Sequence, residues 1–369
     1  MKIVFIGGRD IRSLGGIESY MYNLSVHLIK LGHEVVVYCE SDHNSIEYIE
    51  GIKVIFMKGF KSNLICKPWV GLKATIRTLI KEKNISVIHY NAWPPSMWSF
   101  IPRLLGIKSL MQGHGLEWMH SKYSSRQQKV LKLMERITAH INQHLIMCSD
   151  NQTHYFKNKY NVMTTTIPTA VNMPSGKEVE TDILEKYSLE RCKYFLFLGR
   201  LSKEKNVDYL IDGFKRLNTQ KYKLVIAGTN TIEPDFVDYL HNKATGSANI
   251  VFTGAVYNYD KTTLLSNAYA YCLISTTEGL SIALLEAMSY KLPIIASDIE
   301  GNRELLLDNA IWVRPENVND LLNAFNDCIN NRQEIMNYWE VNYNNVFQNY
   351  TWDKVTQKYI GYLSSIGVK

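Results

Sequence analysis

The sequence lacks the features that mark secreted, metal-binding or membrane-spanning proteins. Its six cysteines are scattered over 369 residues without a Cys-x-x-Cys pair, so buried, reduced thiols are expected rather than disulfides or a zinc site. No segment approaches the ~18 consecutive apolar residues of a membrane helix. The apolar stretch from Met1 to Gly7 is too short for a signal peptide. We therefore expect a cytoplasmic protein.

A dinucleotide-binding signature is also missing. The pattern Gly-x-Gly-x-x-Gly does not occur between the first predicted strand and its helix, which argues against a dehydrogenase. The composition, with 46% apolar and 21% charged residues, is typical of a globular protein. Because 369 residues are many for a single core, two domains are expected.

The charge is distributed unevenly along the chain. Residues 1–175 contain 21 Lys and Arg against 11 Asp and Glu, whereas the remainder contains 20 against 24. A basic half joined to a mildly acidic half indicates that the first half meets something anionic.

Short apolar strands alternate with helices in both halves of the chain. The first half has predicted strands at 3–6, 34–38, 87–90, 109–111 and 145–148, and the second at 194–198, 224–228, 250–254, 271–274 and 293–296. A helix from about Glu18 to Leu31 is closed by Gly32. This alternation predicts an α/β protein with two Rossmann-like, doubly wound domains that face each other across a cleft.

We place the domain boundaries from composition and pattern. The first domain is expected at 1–171 and the second at 172–349, with the polar stretch 172–181 as the linker. A terminal helix at about 350–369 is expected to pack back on the first domain.

Two glutamates in the second half, Glu278 and Glu286, have the most informative spacing in the chain. The first falls in a tight loop and the second roughly two turns into the helix that follows. A helix N-terminus suits a diphosphate, because its N–H groups are unpaired and partly positive. The two acids are suited instead to the hydroxyl groups of a nucleotide sugar.

Two further loops carry candidate phosphate-binding groups. Arg200 and Lys205 follow the strand 194–198, where open α/β sheets bind ligands, although such a basic loop is often a solvated turn. Gly15 and Gly16 precede the first helix and would let backbone approach a ligand, or would only connect two elements.

His114 lies between two glycines at the end of the strand 109–111. An isolated histidine is usually structural, but this position makes its ring accessible to a ligand. Glu117 is a candidate general base or salt-bridge partner, and Trp118 belongs either to the core or to an acceptor platform.

Together these motifs resemble glycosyltransferase family 4, whose members have the two-domain GT-B fold. The resemblance covers essentially the whole chain, and it is most specific from Glu278 through Glu286 to the segment 292–295. The segment 114–118 is similar to a branch of bacterial polysaccharide enzymes that includes rhamnosyltransferases. Asn206 and Lys291 stand where the family usually has glycine.

The resemblance implies a role for each motif. Arg200 and Lys205 would hold the diphosphate of a nucleoside-diphosphate sugar, and Glu286 the ribose hydroxyls. The candidate donor-binding set is completed by residues of the two loops: Gly15, Gly16, Glu278, Gly279, Leu280 and Ser281. His114 would lie against the transferred sugar, so the candidate catalytic residues are His114, Glu278, Arg200 and Lys205.

The resemblance also implies the type of reaction. The family is retaining, and we hypothesise front-face attack by an acceptor hydroxyl whose proton passes to the leaving phosphate. No Asp-x-Asp motif is present, which is consistent with chemistry that needs neither metal nor cofactor.

The acceptor side is expected to be a glycan or a lipid-diphosphate-linked sugar of bacterial surface polysaccharide synthesis, such as capsule or lipopolysaccharide. Two basic segments with apolar neighbours are either solvated helix faces or a surface for anionic lipid. Their basic residues are Lys58, Lys61, Lys67, Lys73, Arg77 and Lys81, and Lys122, Arg126, Lys129, Lys132 and Arg136. We expect peripheral binding to the inner face of the plasma membrane and, because no nucleic-acid motif is visible, no nucleic-acid partner.

Two rival functions stay open. A sugar-nucleotide epimerase of the same fold would bind a similar donor without an acceptor, and a non-catalytic scaffold would bind the donor without transferring sugar. The sequence does not choose among uridine, thymidine and guanosine diphosphates, nor does it indicate the oligomeric state.

Overall fold

The computed structural model describes residues 1–13, 15–60, 63–119, 123–176, 181–231 and 233–369. These fall into two compact units, the first built from Met1–Met119, Tyr123–Ala170 and Trp352–Lys369, the second from Val171–Thr351. Lys61 and Lys122 of the predicted basic surface, and residues 177–180 of the predicted linker, lie outside the described residues.

The first unit is a doubly wound α/β fold. Its strands are β1 (Lys2–Ile6), β2 (Glu34–Ser41), β3 (Ser45–Ile49), β4 (Ile52–Lys58), β5 (Val87–Asn91), β6 (Lys108–Gly113), β7 (Leu145–Met147) and β8 (Thr165–Thr166). The helices in its first segments are α1 (Gly16–Lys30), α2 (Asn63–Lys81), α3 (Trp93–Ser96), α4 (Phe100–Leu104), α5 (Ser125–Ile141) and α6 (Asp150–Tyr160). Among the described residues, the strands form one sheet in the order β3-β4-β2-β1-β5-β6-β7-β8, parallel except where β3 pairs with β4.

The second unit repeats the fold type with a smaller sheet. Its strands are β9 (Tyr194–Leu198), β10 (Lys223–Ala227), β11 (Ile250–Gly254), β12 (Ala270–Leu273), β13 (Ile294–Ser297) and β14 (Ile311–Val313). Its helices are α7 (Ile183–Lys186), α8 (Val207–Leu217), α9 (Pro234–Ala244), α10 (Asn258–Asn267), α11 (Ile282–Ser289), α12 (Glu300–Leu306), α13 (Val318–Asn330) and α14 (Arg332–Asn349). All strand pairs of its described sheet, ordered β11-β10-β9-β12-β13-β14, are parallel.

The last helix, α15 (Trp352–Ser365), belongs to the first unit. Its Trp352, Tyr359 and Leu363 are buried in the same core as Tyr20 and Leu24 of α1. Tyr359 also donates or accepts a 2.9 Å hydrogen bond with Nδ1 of buried His89 on β5. The helix is therefore an integral layer of this unit.

Each sheet is covered by apolar side chains on both faces. All five residues of β9 are buried, as expected for a central strand of a parallel sheet with helices on either side. The first unit has one core with α1 and α15 and another with α2, α3, α5 and α6. The predicted fold class, with two Rossmann-like halves, is confirmed. Within the described ranges, none of the helices has the length and hydropathy needed to cross a bilayer.

A buried ion-pair network ties the start of β1 to the end of α2. The carboxylate of Glu82, whose side chain is 3% exposed, lies 2.8 Å from Lys2 Nζ and 2.6 Å from Lys53 Nζ. Burial alone would raise the pKa of Glu82, but hydrogen bonds and charge from the two lysines outweigh it and lower that pKa.

This lowered pKa predicts a pH-dependent contribution to stability. A carboxyl group with a depressed folded-state pKa stabilises the fold above its ordinary value of about 4.3, and this stabilisation is lost as pH falls through the folded-state pKa. The variant Glu82→Gln should unfold at lower urea concentration at pH 7, and its difference from the wild type should shrink as the pH is lowered below about 4. Glu34→Gln is the control, because exposed Glu34 also contacts Lys2. A difference that stays constant with pH would contradict this assignment.

Candidate active site

In the second unit, the predicted motifs meet at one point of the sheet. The strand order reverses between β9 and β12, and open α/β sheets bind ligands outside the carboxyl ends of the strands at such a reversal. Arg200 and Lys205 follow β9, and Glu278 follows β12. The structure thus brings these three predicted residues to the same edge.

Glycines allow the loops at this edge to pack tightly. A Cβ built on Gly228, after β10, would lie 1.8 Å from the carbonyl oxygen of Gly199. A Cβ on Gly301, in α12, would lie 2.4 Å from the carbonyl oxygen of Glu278. Both positions exclude any side chain, so the loops that carry Arg200 and Glu278 rest directly on neighbouring backbone.

Lys205 and Glu278 form an ion pair with little exposure. Lys205 Nζ lies 2.5 Å from Glu278 Oε1, and the two side chains are 18% and 9% exposed. Ser275 also donates to Glu278 Oε1 at 2.6 Å. The turn of Lys205 is closed by Asn206, whose Nδ2 donates to the carbonyl of Ile274 at 3.0 Å. The lysine and the carboxylate are therefore held at fixed positions beside each other.

Arg200 keeps more of its surface in solvent. Its side chain is 40% exposed, and Nη2 donates to Glu204 Oε1 at 3.4 Å. Its planar guanidinium is suited to bidentate recognition of phosphate oxygens.

The helix that begins after Glu278 supplies backbone donors. Ser281 caps α11 by accepting a hydrogen bond from Leu284 N at 3.3 Å, and Gly279 and Leu280 lie in the preceding loop. Because the helix begins at Ile282, Glu286 lies about one turn into it rather than the two turns that the spacing predicted. The prediction had started the helix too early.

Glu286 has a partner that sequence reasoning missed. Lys261 of α10 donates to Glu286 Oε1 at 2.5 Å, with the two side chains 30% and 21% exposed. Burial raises the pKa of Tyr271, and the charges of Glu278 and Glu286 raise it further. The Tyr271 hydroxyl donates a hydrogen bond to the carbonyl of Leu198 at 3.1 Å.

In the first unit, Gly15 and Gly16 begin helix α1. Gly15 is the N-cap, and a Cβ there would lie 2.0 Å from Glu18 Oε2. Glu18 in turn accepts a hydrogen bond from the backbone N–H of Arg9 at 2.9 Å. A side chain at position 15 would therefore displace the carboxylate of Glu18 from its place over the loop.

His114 follows β6, one strand away from the strand-order reversal of the first sheet between β1 and β5. Its Nε2 lies 3.1 Å from Oδ1 of Asn91, the last residue of β5. The edge of the Tyr20 ring packs against its imidazole with the centroids 5.0 Å apart. The imidazole is therefore held between the end of β5 and the ring of Tyr20.

The indole side chain of Trp118 is held in place by contacts with α5. Its indole N–H donates to Oε2 of buried Glu135 at 2.9 Å, and the ammonium of Lys132 lies 4.1 Å from its ring centroid. Two tyrosine hydroxyls also donate to this glutamate, those of Tyr155 and Tyr160. The side chain of Glu117 lies outside the described residues.

Comparisons with known proteins match both units. The model "Glycosyltransferase Family 4" matches residues 14–173, and the model "Glycosyl transferases group 1" matches residues 179–345. An uncharacterised glycosyltransferase of Methanocaldococcus jannaschii is 24% identical over 94% of this chain and 93% of its own. A phosphatidylinositol N-acetylglucosaminyltransferase component from Arabidopsis thaliana is 22% identical over 97% of this chain and 80% of its own.

Solved structures share the fold over nearly the whole chain. Sucrose-phosphate synthase from Thermosynechococcus elongatus superposes with a TM-score of 0.83 at 16% identity, covering 99% of this chain and 98% of its own. The Anabaena protein HepE in complex with UDP gives a TM-score of 0.78 at 17% identity, covering 99% and 100%. With both halves matched in order and the donor-site motifs gathered at one sheet edge, the chain belongs to the group 1, family 4 glycosyltransferases, which use a nucleotide-sugar donor.

Proposed function

We propose that this enzyme is a retaining, metal-independent glycosyltransferase. It moves a sugar from a nucleoside diphosphate to a glycan or lipid-linked acceptor in the synthesis of a bacterial surface polysaccharide. One observation supports the assignment of the donor site. Arg200, Lys205 and Glu278 lie at the strand-order reversal of the second sheet, beside the N-terminus of α11.

The difficult step is departure of the nucleoside diphosphate from an oxocarbenium-like sugar. Negative charge then builds up on the leaving phosphate, and preorganised positive groups stabilise it. Arg200, Lys205 and the backbone N–H groups at the start of α11 supply such groups without a metal. This is the basis on which we propose metal-independent chemistry.

The anomeric configuration of the donor sugar is retained if the acceptor hydroxyl attacks the face from which the phosphate leaves. The hydroxyl oxygen forms the new bond to the anomeric carbon, the bond to the phosphate oxygen breaks, and the hydroxyl proton passes to that oxygen. In this scheme, no side chain has to act as a nucleophile. Glu278 would bind hydroxyls of the transferred sugar.

The nature of the acceptor is supported by relatives rather than by the site. The Arabidopsis relative is named for transfer to phosphatidylinositol, and an O-antigen chain mannosyltransferase of Escherichia coli is 27% identical over 37% of this chain and 36% of its own. The first name concerns a lipid acceptor and the second a glycan chain, which supports a glycan or lipid-linked acceptor.

A candidate membrane surface lies on one side of the first unit. Helix α2 packs against α3 and α4, and α3 packs against α5. Apolar side chains that stay exposed on these helices are Trp69, Ile76, Ile80, Phe100, Leu104, Val130, Leu133 and Ile137. Exposed basic residues lie among them, including Arg103, Arg126, Lys129 and Arg136. Basic charge interspersed with apolar area is complementary to an anionic lipid surface.

The donor assignment predicts stabilisation by a nucleoside diphosphate. A panel of UDP, GDP, dTDP and ADP should contain one ligand that raises Tm by roughly 5 °C at a hundredfold excess over Kd, because it binds only the folded protein. Differential scanning fluorimetry makes the measurement, with the corresponding monophosphates as controls. If no diphosphate shifts Tm, the donor site is wrongly assigned.

The role of Arg200 predicts a large loss of turnover in Arg200→Ala. Removing a charge that stabilises the leaving phosphate should lower the release of nucleoside diphosphate from the donor by about 100-fold or more. Arg216→Ala is the matched control, since Arg216 lies in the last turn of α8 and its Nη1 donates to Asn319. Near-normal turnover in Arg200→Ala would remove the proposed role.

The surface assignment predicts salt-sensitive binding to anionic vesicles. Replacing Arg126 and Lys129 by Gln should weaken binding about thirtyfold at low salt, at ~1 kcal/mol per basic residue. Flotation with phosphatidylglycerol-containing and pure phosphatidylcholine vesicles measures this. The control is the double replacement of exposed Lys354 and Lys358, which lie on α15 beside the other core of the unit. Equal binding by the two variants would contradict the assignment.

A further inference from the structure

Both acids of the donor site have a lysine partner of their own. Glu278 is paired with Lys205 and Glu286 with Lys261, each with an N–O distance of 2.5 Å. The first lysine belongs to a motif recognised from sequence, whereas the second lies on α10, in a segment with no apparent chemical signature. The second pair calls for a functional explanation, because a lysine so close must influence what its carboxylate can bind.

The position of the pair restricts its role. Lys261 and Glu286 are mostly withdrawn from solvent, at 30% and 21% exposure, so the interaction between their charges is screened less than on an open surface. Lys261 lies in the first turn of α10, which follows the carboxyl end of β11, and Glu286 lies in α11, which follows the loop of Glu278 after β12. The pair therefore lies near the same edge of the sheet as the rest of the donor site.

Two physical effects of the lysine follow. A glutamate side chain has three rotatable torsions, and an ion pair to one oxygen holds the carboxylate in one orientation before the ligand arrives. The ammonium also offsets a negative charge that would otherwise repel a diphosphate. Both effects would make the carboxylate a better acceptor for the two hydroxyls of a ribose.

We propose that Lys261 is a positioning residue of the donor site, which orients Glu286 towards the ribose hydroxyls and thereby favours ribonucleoside over 2′-deoxyribonucleoside diphosphates. This inference rests on the proposed function, because it requires a nucleoside diphosphate to bind beside Glu286. Lys261 acts through the carboxylate and does not touch the reacting atoms.

The test compares variants of the lysine and of its carboxylate. Lys261→Met removes the charge and keeps the length of the side chain, and Lys261→Arg keeps the charge. Lys243→Met is the matched control, because Lys243 makes a lysine–carboxylate contact of 2.7 Å with Asp212, between α9 and α8 of the same unit. Isothermal titration calorimetry measures Kd for UDP and 2′-deoxy-UDP, or for the corresponding guanosine pair if the fluorimetry panel selects GDP.

The expected pattern has three parts. Lys261→Met should weaken ribonucleotide binding roughly tenfold, as for loss of a charge-assisted hydrogen bond, and should weaken 2′-deoxynucleotide binding much less. Lys261→Arg and Lys243→Met should stay close to the wild type. In a Glu286→Gln background, Lys261→Met should have no further effect, because the lysine acts through that carboxylate.

The outcomes separate this inference from the proposed function. If the wild type binds a nucleoside diphosphate and Lys261→Met binds both ligands equally well, the inference alone is overturned. It is also overturned if Lys261→Met weakens ribonucleotide binding as much in the Glu286→Gln variant as in the wild type. The lysine would then contact the ligand itself. If the wild type binds no nucleoside diphosphate, the proposed function fails and the inference fails with it.

Discussion

The pairing of each of two partly buried glutamates with a lysine is the interaction on which the proposed donor site of the second unit depends. Two like charges ~4 Å apart repel by roughly 4 kcal/mol at an effective dielectric constant of 20, so uncompensated carboxylates near a diphosphate would weaken its binding. In the structure, each acid forms an ion pair with a lysine, Glu278 with Lys205 and Glu286 with Lys261. The acids keep their capacity to accept hydrogen bonds from hydroxyl groups, and the exposed guanidinium of Arg200 adds positive charge.

This charge arrangement needs exact placement of loops that are far apart in sequence. The backbone contact of Gly228 packs the loop after β10 directly against the loop after β9, and that of Gly301 packs α12 directly against the loop after β12. Asn206 adds a left-handed residue, with φ of 52°, and a side-chain hydrogen bond to Ile274. Asparagine tolerates this conformation better than most residues with a Cβ, so the turn keeps its shape without the usual glycine. Lys291, the second position where the family usually has glycine, also has a positive φ. The left-handed turn is therefore kept at this position too.

The strands and the local motifs could be predicted from sequence, whereas contacts between distant elements could not. The bounds of β9 and β11 were predicted as observed, because continuous apolar runs between polar turns are a local signal. The hairpin of β3 and β4 was missed, because its turn has Glu50 before Gly51 where Asn, Asp or Gly is the usual signal, although both residues have positive φ. Lys261 had no such signal. It lies 25 positions before its partner on a different helix, and a lysine on a short helix usually faces solvent.

In the first unit, two histidines lie close to Tyr20. Nε2 of His114 lies 3.1 Å from Oδ1 of Asn91, and His89 is buried on β5. Burial, with a smaller contribution from the charge of His114, lowers the pKa of His89 well below its ordinary value. His89 therefore stays neutral at physiological pH, hydrogen-bonded to Tyr359, while Tyr20 packs against both imidazoles. The buried imidazole of His89 is therefore an uncharged part of the core between β5 and α15.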